Sequence, residues 1–396
     1  LKLFKNGEAY EKGKPMTHRK RVLMVLNGGV PDRIARGDIM FHPKIIDEAL
    51  GLEVKSDYGN ALAAWMYEDM SDEEFQKQKA FRDLIGCDLI AVFPTFSLTE
   101  EGSERSAKIT RDVFGNRIKV FENETLIERV IKTPADMDSY EYPDVRQFRY
   151  NNIALWSGKS DLCVLPITDS ANFGIWFNLT GFENYMVWFY TERERLLSLM
   201  NRHVDFNIEL TKECFRHGGD VVWIGDDFAS NLGTFINPRD MKEFYFPLLK
   251  RQVRELKRSI GAPVVLHSDG DLNDVMEMII DSGLDAVMAL QPFCGMDIRK
   301  LKGDYGKRIT LWGNINISDL LIFGSPADVR TVVKETIGIA APGGRFILST
   351  SNSPAIPDIP TENILAMYEA AREYGEYPIN FTVKTDNYRR YIRKWR

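Results

Sequence analysis

Residues Ala262 to Gly270 read APVVLHSDG, an apolar run that stops at His267, Ser268 and Asp269. The run predicts a buried strand, with a new helix starting at Asp271. An imidazole and a carboxylate two residues apart in a strand lie on one face, where they can share a proton or a metal ion. A second run, DVVWIGDD from Asp220 to Asp227, ends in Asp226 and Asp227. These could be general acid-base groups, substrate anchors or metal ligands, or one could cap the following turn. Adjacent carboxylates near an imidazole and a third carboxylate repel strongly unless a cation or a proton sits among them. The pattern therefore favours a metal or a raised pKa.

The carboxyl ends of buried strands are where α/β barrels keep their chemistry. Short β-branched runs alternate with amphipathic stretches through the carboxyl half, each punctuated by Gly or Pro, and that rhythm implies a parallel sheet. The strands read RIARGDIMF, LIAVFPTF, LCVLPIT, VVWIGDD, VVLH, LDAVMALQP, RITLWGNI and GRFILSTSN. The helices include THRKRVLMVLNGG at the start, PRDMKEFYFPLLKRQVRELKRSIG with Pro238 in its first turn and Gly261 after its end, and PTENILAMYEAAREYG with an N-cap at Thr361. Eight strands with intervening helices fit a closed (β/α)8 TIM barrel of the α/β class, for which about 250 residues suffice. An open doubly wound sheet is the competing arrangement, but it would gather its polar residues at one crevice, whereas here they follow nearly every strand. Ala107 to Asn123 alternates around Gly115-Asn116 and predicts a β-hairpin inserted over the barrel mouth. The long stretch between the third and fourth strands predicts two extra helices. One domain over residues 1–396 is expected, with an N-terminal extension at 1–16 and a C-terminal tail at 380–396 whose basic end is a solvated one.

In a barrel the strand ends converge. Arg36 and Asp38 follow the first strand, Thr95 and Ser97 the second, Thr168, Asp169 and Asn172 the third, Gln291 and Cys294 the sixth, and Asn314 and Asn316 the seventh. Ser349, Ser351, Asn352 and Ser353 follow the eighth. Asp271, Ser318, Ser325 and Thr361 read as helix caps and are set aside. His203, inside a helix, His217, at a helix end, and His18, in a first turn, have ordinary structural readings, and His42 is a reserve ligand. Phe173, Trp176 and Phe177, with Phe93, Phe96 and Phe228, could line an apolar pocket suited to a planar ring, whereas Trp188 and Phe189 suit helix packing.

The composition narrows the partners. A formal charge of −6 with no concentrated basic stripe argues against nucleic acid and against polyanionic substrates. The amino terminus lacks the apolar core of a signal peptide and no run of about 18 apolar residues occurs, so a cytoplasmic protein without membrane contact is expected. Cys87, Cys163, Cys214 and Cys294 form no CxxC pair, which argues against disulfides.

Together, THRKRVLMVLNGGVPDRI, IGDDFASNLGTFINPRDMKEFYFPLLKRQV, HSDGDL, LQPFCGMDIRKLKGDYGKRITLWGNI, APGGRFILSTSN and PTENILAMYEAAREYG resemble the uroporphyrinogen decarboxylase superfamily across almost the whole chain. The resemblance implies a (β/α)8 barrel and one of two activities: cofactor-free decarboxylation of uroporphyrinogen, or methyl transfer involving corrinoid proteins, usually with zinc (Zn2+) at the site. The arginine-rich RQAGRY segment of true decarboxylases is replaced here by RGDIMFHPKI, which keeps only Arg36. A pocket holding Asp38, Asp226, Asp227 and Asp269 would repel an octacarboxylate. The methyltransferase branch carries His-x-Cys after the fifth strand and a cysteine after the eighth, where this chain has His267-Ser268-Asp269 and STSNS. A metal would then rest on His267 and Asp269, with Asp227 or Cys294, a harder donor set than thiolates.

The expectation is a methyltransferase of the O-demethylase type, moving a methyl group from a small methoxylated, aromatic donor to a corrinoid (cobalamin) carried by a partner protein. In that reading His267, Asp269 and Asp227 bind a metal or donate a proton to the leaving oxygen, with Asp226 as a further catalytic candidate. Gln291 and Asn314 orient the substrate, Arg36 and Asn172 contact it, and the aromatic residues bury its ring. The alternatives are decarboxylation of another carboxylate with Arg36 as its anchor, and a non-catalytic binding protein. A homodimer is compatible with either.

Overall fold

Eight parallel strands form the frame in a computed structural model that describes residues 16–56, 58, 65–104, 107–120, 125–352 and 356–392. They are β1 (Ala35–Arg36), β2 (Leu89–Val92), β3 (Cys163–Asp169), β4 (Val222–Gly225), β5 (Val264–Ser268), β6 (Ala286–Ala289), β7 (Thr310–Ile315) and β8 (Phe346–Thr350). Each pairs with its neighbour in sequence from β2 round to β8, and β8 pairs back with β1. Helices pack outside. This is the (β/α)8 barrel expected from the strand rhythm, and its interior is a packed core, with Trp223 edge-on to Trp312 at 5.5 Å and both fully buried.

The seam between β1 and β2 has no ladder. Asp88, just before β2, joins it instead: its N–H donates to the Arg36 carbonyl at 2.8 Å, and its Oδ2 accepts the Arg36 N–H at 3.0 Å. The fully buried Asp88 carboxylate also accepts from Arg21 Nη1 at 2.6 Å, from both terminal nitrogens of Arg33 and from His18 Nδ1 at 2.7 Å. Burial alone would raise its pKa, but Arg33, His18 and Arg21 hold the carboxyl well below the usual range. His18 is therefore a partner of the seam.

The insertion after β2 is larger than a hairpin. Ala107–Arg111 and Arg117–Val120 pair around a turn held by Asp112, as the alternation predicts, and Thr99–Glu104 and Thr125–Glu128 extend them to a four-stranded antiparallel sheet. Residues 121–123 of the predicted hairpin lie outside the described residues. Its tip carries Phe114 against Phe96, at 6.0 Å, above the end of β2. Between β3 and β4 the two expected helices are Phe182–Thr191 and Arg193–Arg216, preceded by a short helical run from Phe173 to Thr180. In the helix feeding β5, Met241–Tyr245 widens to a π turn just before Pro247, which lacks an N–H and crowds the carbonyl four residues back.

Several caps differ from expectation. Pro360 rather than Thr361 caps the last helix, and Thr361 Oγ1 donates to Glu48 Oε2 at 2.5 Å. Asn316 rather than Ser318 caps the turn after β7. Leu272 rather than Asp271 precedes the helical turn after β5, and His42 caps Pro43–Ala49 through Nδ1 instead of standing by as a ligand, whereas Ser325 caps its helix as expected, in a capping box with Asp328. At the carboxyl end Tyr388 is buried and donates its N–H to Glu335 at 2.8 Å, while Arg389 and Arg390 are exposed. Among the described residues no helix is long and apolar enough to cross a membrane.

Replacing Asp88 by Asn should destabilise the fold by about 3–5 kcal/mol, because it strands Arg33 as an uncompensated charge and leaves Arg21 with Asp32 as its one carboxylate partner. A group whose folded pKa is depressed contributes fully above its unfolded value and loses that contribution as the pH falls through the folded one. Denaturant unfolding should therefore show the full gap at pH 7 and a shrinking gap in acid.

Candidate active site

Asp226 and Asp227 leave the end of β4 in opposite directions. Asp226 turns into the wall, fully buried, and accepts from the Phe173 N–H and from Tyr245 Oη at 2.6 Å. Burial pushes its carboxyl up to about 7 against those hydrogen bonds, helped by the charges of Asp169 and Asp227. The structure thus gives Asp226 a different task from the one expected: it ties the loop after β3 to the helix after β4. Asp227 turns inward. Its carbonyl accepts from Asn172 Nδ2 at 2.7 Å, and its Oδ1 accepts the Asp269 N–H at 2.9 Å.

The second bond brings the ends of β4 and β5 together. His267 Nε2 lies 3.8 Å from Asp227 Oδ1 and 3.9 Å from Asp269 Oδ1, and one ligand atom from each of the three side chains falls within 4.8 Å of the others. The His267 ring stacks on Trp223 at 5.4 Å and 25°, which fixes its plane. Burial raises the Asp269 pKa, the His267 charge opposes this, and Asp227 adds to it. Two buried atoms in the cluster, His267 Nδ1 and Asp269 Oδ1, have no hydrogen-bond partner. Metal–nitrogen and metal–oxygen bonds of about 2.0–2.2 Å at tetrahedral angles place donors roughly 3.4 Å apart, so the pairs at 3.8 and 3.9 Å would close by about half an ångström around one ion. The donor set is hard, one imidazole and two carboxylates.

A cavity of about 230 Å3 opens against this cluster. His267, Asp227 and Trp223 lie on it, seven phenylalanines (Phe93, Phe96, Phe114, Phe148, Phe173, Phe177 and Phe206) make up much of the remaining wall together with aliphatic residues, and Thr168, Asp169, Asn178 and Asn207 are its other polar residues. Among the described residues neither Lys nor Arg lines it. Phe173 and Phe177 stack at 4.7 Å.

Residues 114–374 match the family described as uroporphyrinogen decarboxylase (URO-D). The chain belongs to the uroporphyrinogen decarboxylase family. It is 24% identical over 212 residues to a methylated-thiol–coenzyme M methyltransferase of Methanosarcina mazei, covering 54% of this chain but only about half, 53%, of that protein. It is 23% identical over 306 residues to a uroporphyrinogen decarboxylase of Chlorobium limicola, covering 74% of this chain and 81% of that one. Among solved structures, a methyltransferase from Methanosarcina mazei superposes with a TM-score of 0.68 at 17% identity, over 91% of this chain and 99% of the other. That likeness is one of fold. The family's named members here are enzymes of two kinds.

Against that family background, several strand-end residues hold loops instead of facing the cavity. Arg36 is buried and donates from Nε to the Gly86 carbonyl at 2.9 Å, away from the mouth. Asp38 is fully buried, bonded to Thr350 and to Tyr368 Oη at 2.8 Å, and so adds nothing to the pocket. Asn314 donates to the Leu290 and Met296 carbonyls, and Gln291 Oε1 accepts the Gly270 N–H at 2.8 Å. Phe228 packs on Tyr245 in the core, and Trp176 stands edge-on behind Phe173 at 4.7 Å. Trp188 and Phe189 are buried in helix packing. Ser353 lies outside the described residues.

Cys294 does not join the cluster. Its thiol donates to Asn231 Oδ1 at 3.0 Å and Gln291 Oε1 at 3.1 Å, and burial, with Asp269 and Asp271 nearby, pushes it up to about 12. A protonated, hydrogen-bonded thiol is a poor ligand and a poor nucleophile.

One group escaped the sequence reading. His203, taken as an ordinary helix residue, is fully buried with Nε2 2.7 Å from Asp169 Oδ1 at the cavity wall. The signal was available: His203, Asn207 and Thr211 recur every four residues on a helix face otherwise apolar, and all three meet the end of β3, at Asp169 and Thr168. Phe114, Phe148 and Phe206 were also missed, since their convergence depends on how the insertion folds back.

Iodoacetamide at pH 7.5 should leave Cys294 unmodified in the native protein, as read by peptide mass spectrometry, and label it after denaturation. Rapid native labelling would contradict the placement of the thiol.

Proposed function

We propose that this chain demethylates a small methoxylated aromatic compound and passes the methyl group to a corrinoid carried by a separate protein. The observation that carries the reading is the cavity: an aromatic-walled space bordered by His267 and Asp227 of the His–Asp–Asp cluster and lined, among the described residues, by no Lys or Arg. A planar ring buries well against such walls. A substrate bearing several carboxylates would meet Asp169 and Asp227 there with no lining Lys or Arg among the described residues to pair with it, so decarboxylation of a porphyrinogen is the weaker reading despite the relatives that do it. A methyltransferase among the relatives supports transfer of a methyl group.

The reaction breaks the O–CH3 bond. The methyl carbon leaves to the acceptor, and the bonding electrons stay on oxygen, which must be neutralised. Asp227, His267 and Asp269 would hold a divalent ion such as zinc, which supplies a Lewis acid at that oxygen. The phenylalanine walls bury the ring and fix the ether against the cluster, and they keep water from the reacting carbon. Trp223 holds the His267 plane, and the Asp227–Asp269 bond sets the spacing of the carboxylates. Asp226 keeps Phe173 in the wall through its N–H. Localisation in the cytoplasm suits a protein that meets a corrinoid partner there.

Methylation of cob(I)alamin by methoxyarenes should fall by about 100-fold or more in His267→Ala and Asp269→Asn variants that retain their fold. Equal activity in His267→Ala would remove the assignment. Elemental analysis should find one divalent ion per chain, lost in His267→Ala and retained in Cys294→Ala. A metal-free chain with full activity would assign the cluster to acid catalysis alone.

A further inference from the structure

Asp169 ends β3 and lines the same space as His267. In register it pairs with Gly225 of β4, and Gly225 pairs with His267 of β5. Asp169 and His267 therefore stand at one level, two strands apart, or roughly 10 Å between backbones at the usual strand spacing. Both border the cavity, so a single bound ring can meet the two of them.

The Asp169 carboxylate is closely held. Oδ1 meets His203 Nε2 at 2.7 Å, and Oδ2 accepts from Asn178 Nδ2 at 2.9 Å. The backbone is fixed too, its N–H donating to Asn207 Oδ1 at 3.3 Å and its carbonyl accepting from Gln252 Nε2 at 2.9 Å. Gly174 passes so close that a Cβ there would lie 2.1 Å from His203 Nε2 and 2.6 Å from Asp169 Oδ1, so no larger residue fits beside the pair. About a fifth of the side chain remains open, and the space it borders is the cavity. A partner for His203 alone would not need to face a ligand space.

We infer that Asp169, positioned by His203 and Asn178, selects rings that carry a hydrogen-bond donor, a phenolic hydroxyl or an amino group, across from the methyl ether. This rests on the aromatic substrate proposed above and names its class. An ionised carboxylate only accepts hydrogen bonds and has about four acceptor positions, of which the protein fills two. The ligand group it meets must donate. A ring carboxylate at that position is disfavoured by the same charge, with no Lys or Arg among the described lining residues to offset it.

The test is calorimetric binding to the full chain of two rings that differ only in the donor, 4-methoxyphenol and 1,4-dimethoxybenzene. It needs neither corrinoid nor turnover. The wild type should bind the phenol at least tenfold more tightly, the scale of one charge-assisted hydrogen bond. Asp169→Ala should reduce that preference to under threefold while binding of the diether stays within threefold of wild type, and His203→Gln should lower the preference by loosening the carboxylate. Equal binding of the two rings by the wild type overturns the inference without any variant. So does a preference that survives Asp169→Ala, or a parallel loss of both ligands, which would mark a structural role. Binding of neither ring overturns the aromatic substrate itself, whereas binding without preference overturns only the selection.

Discussion

A buried negative charge closes the barrel. Between β1 and β2 no strand ladder forms, and the join rests on Asp88, whose backbone and carboxylate both bond to Arg36 while Arg21, Arg33 and His18 surround it. A carboxylate without solvent is tolerated only when several donors meet it in good geometry, so the same bonds that neutralise Asp88 also fix the shear of the seam. The end of β2 is thereby held beside β3, which brings Phe93 and Phe96 to the cavity that β3, β4 and β5 border. The cavity wall depends on a contact at the opposite end of the strand.

The frame and the meeting of His267, Asp227 and Asp269 were legible because both follow from short-range rules. Alternating apolar runs mark strands, the pleat puts His267 and Asp269 on one face, and the barrel brings the ends of adjacent strands together. What was not legible depended on distant partners. Nothing local distinguishes Asp226 from Asp227; the choice is made by Tyr245, nineteen residues on, and by the Phe173 N–H. Arg36, Gln291 and Asn314 have side chains suited to ligands, but the loops around them expose backbone groups that must be paired, and those groups claimed them. The outer strand Thr99–Glu104, reading TEEGSE, has little intrinsic β preference and takes its form from the hairpin it pairs with.

The resemblance to the family carried further for fold than for site. Its methyltransferase branch implies thiolate ligands, and here the equivalent positions are Asp269 and a serine-rich loop, with Cys294 bonded elsewhere. Exchanging sulfur for oxygen changes what the site asks of its surroundings. Thiolates are themselves stabilised by a bound metal in apolar surroundings, whereas carboxylates need either a hard cation or a proton, and the stacked Trp223 and phenylalanine walls leave little water to help.

That demand explains the division of labour within the Asp226–Asp227 pair. Two ionised carboxylates on successive residues, with Asp269 and Asp169 nearby, would set four negative charges around a small apolar space. Raising one of them toward neutrality by burial, as happens to Asp226, removes a charge without removing an acceptor, since a protonated carboxyl still takes the Phe173 N–H. The neighbour, held by its own carbonyl and by the Asp269 N–H, is left open to the cavity. Two identical side chains in adjacent positions thus become a wall fastener and a ligand-facing group, separated by environment alone.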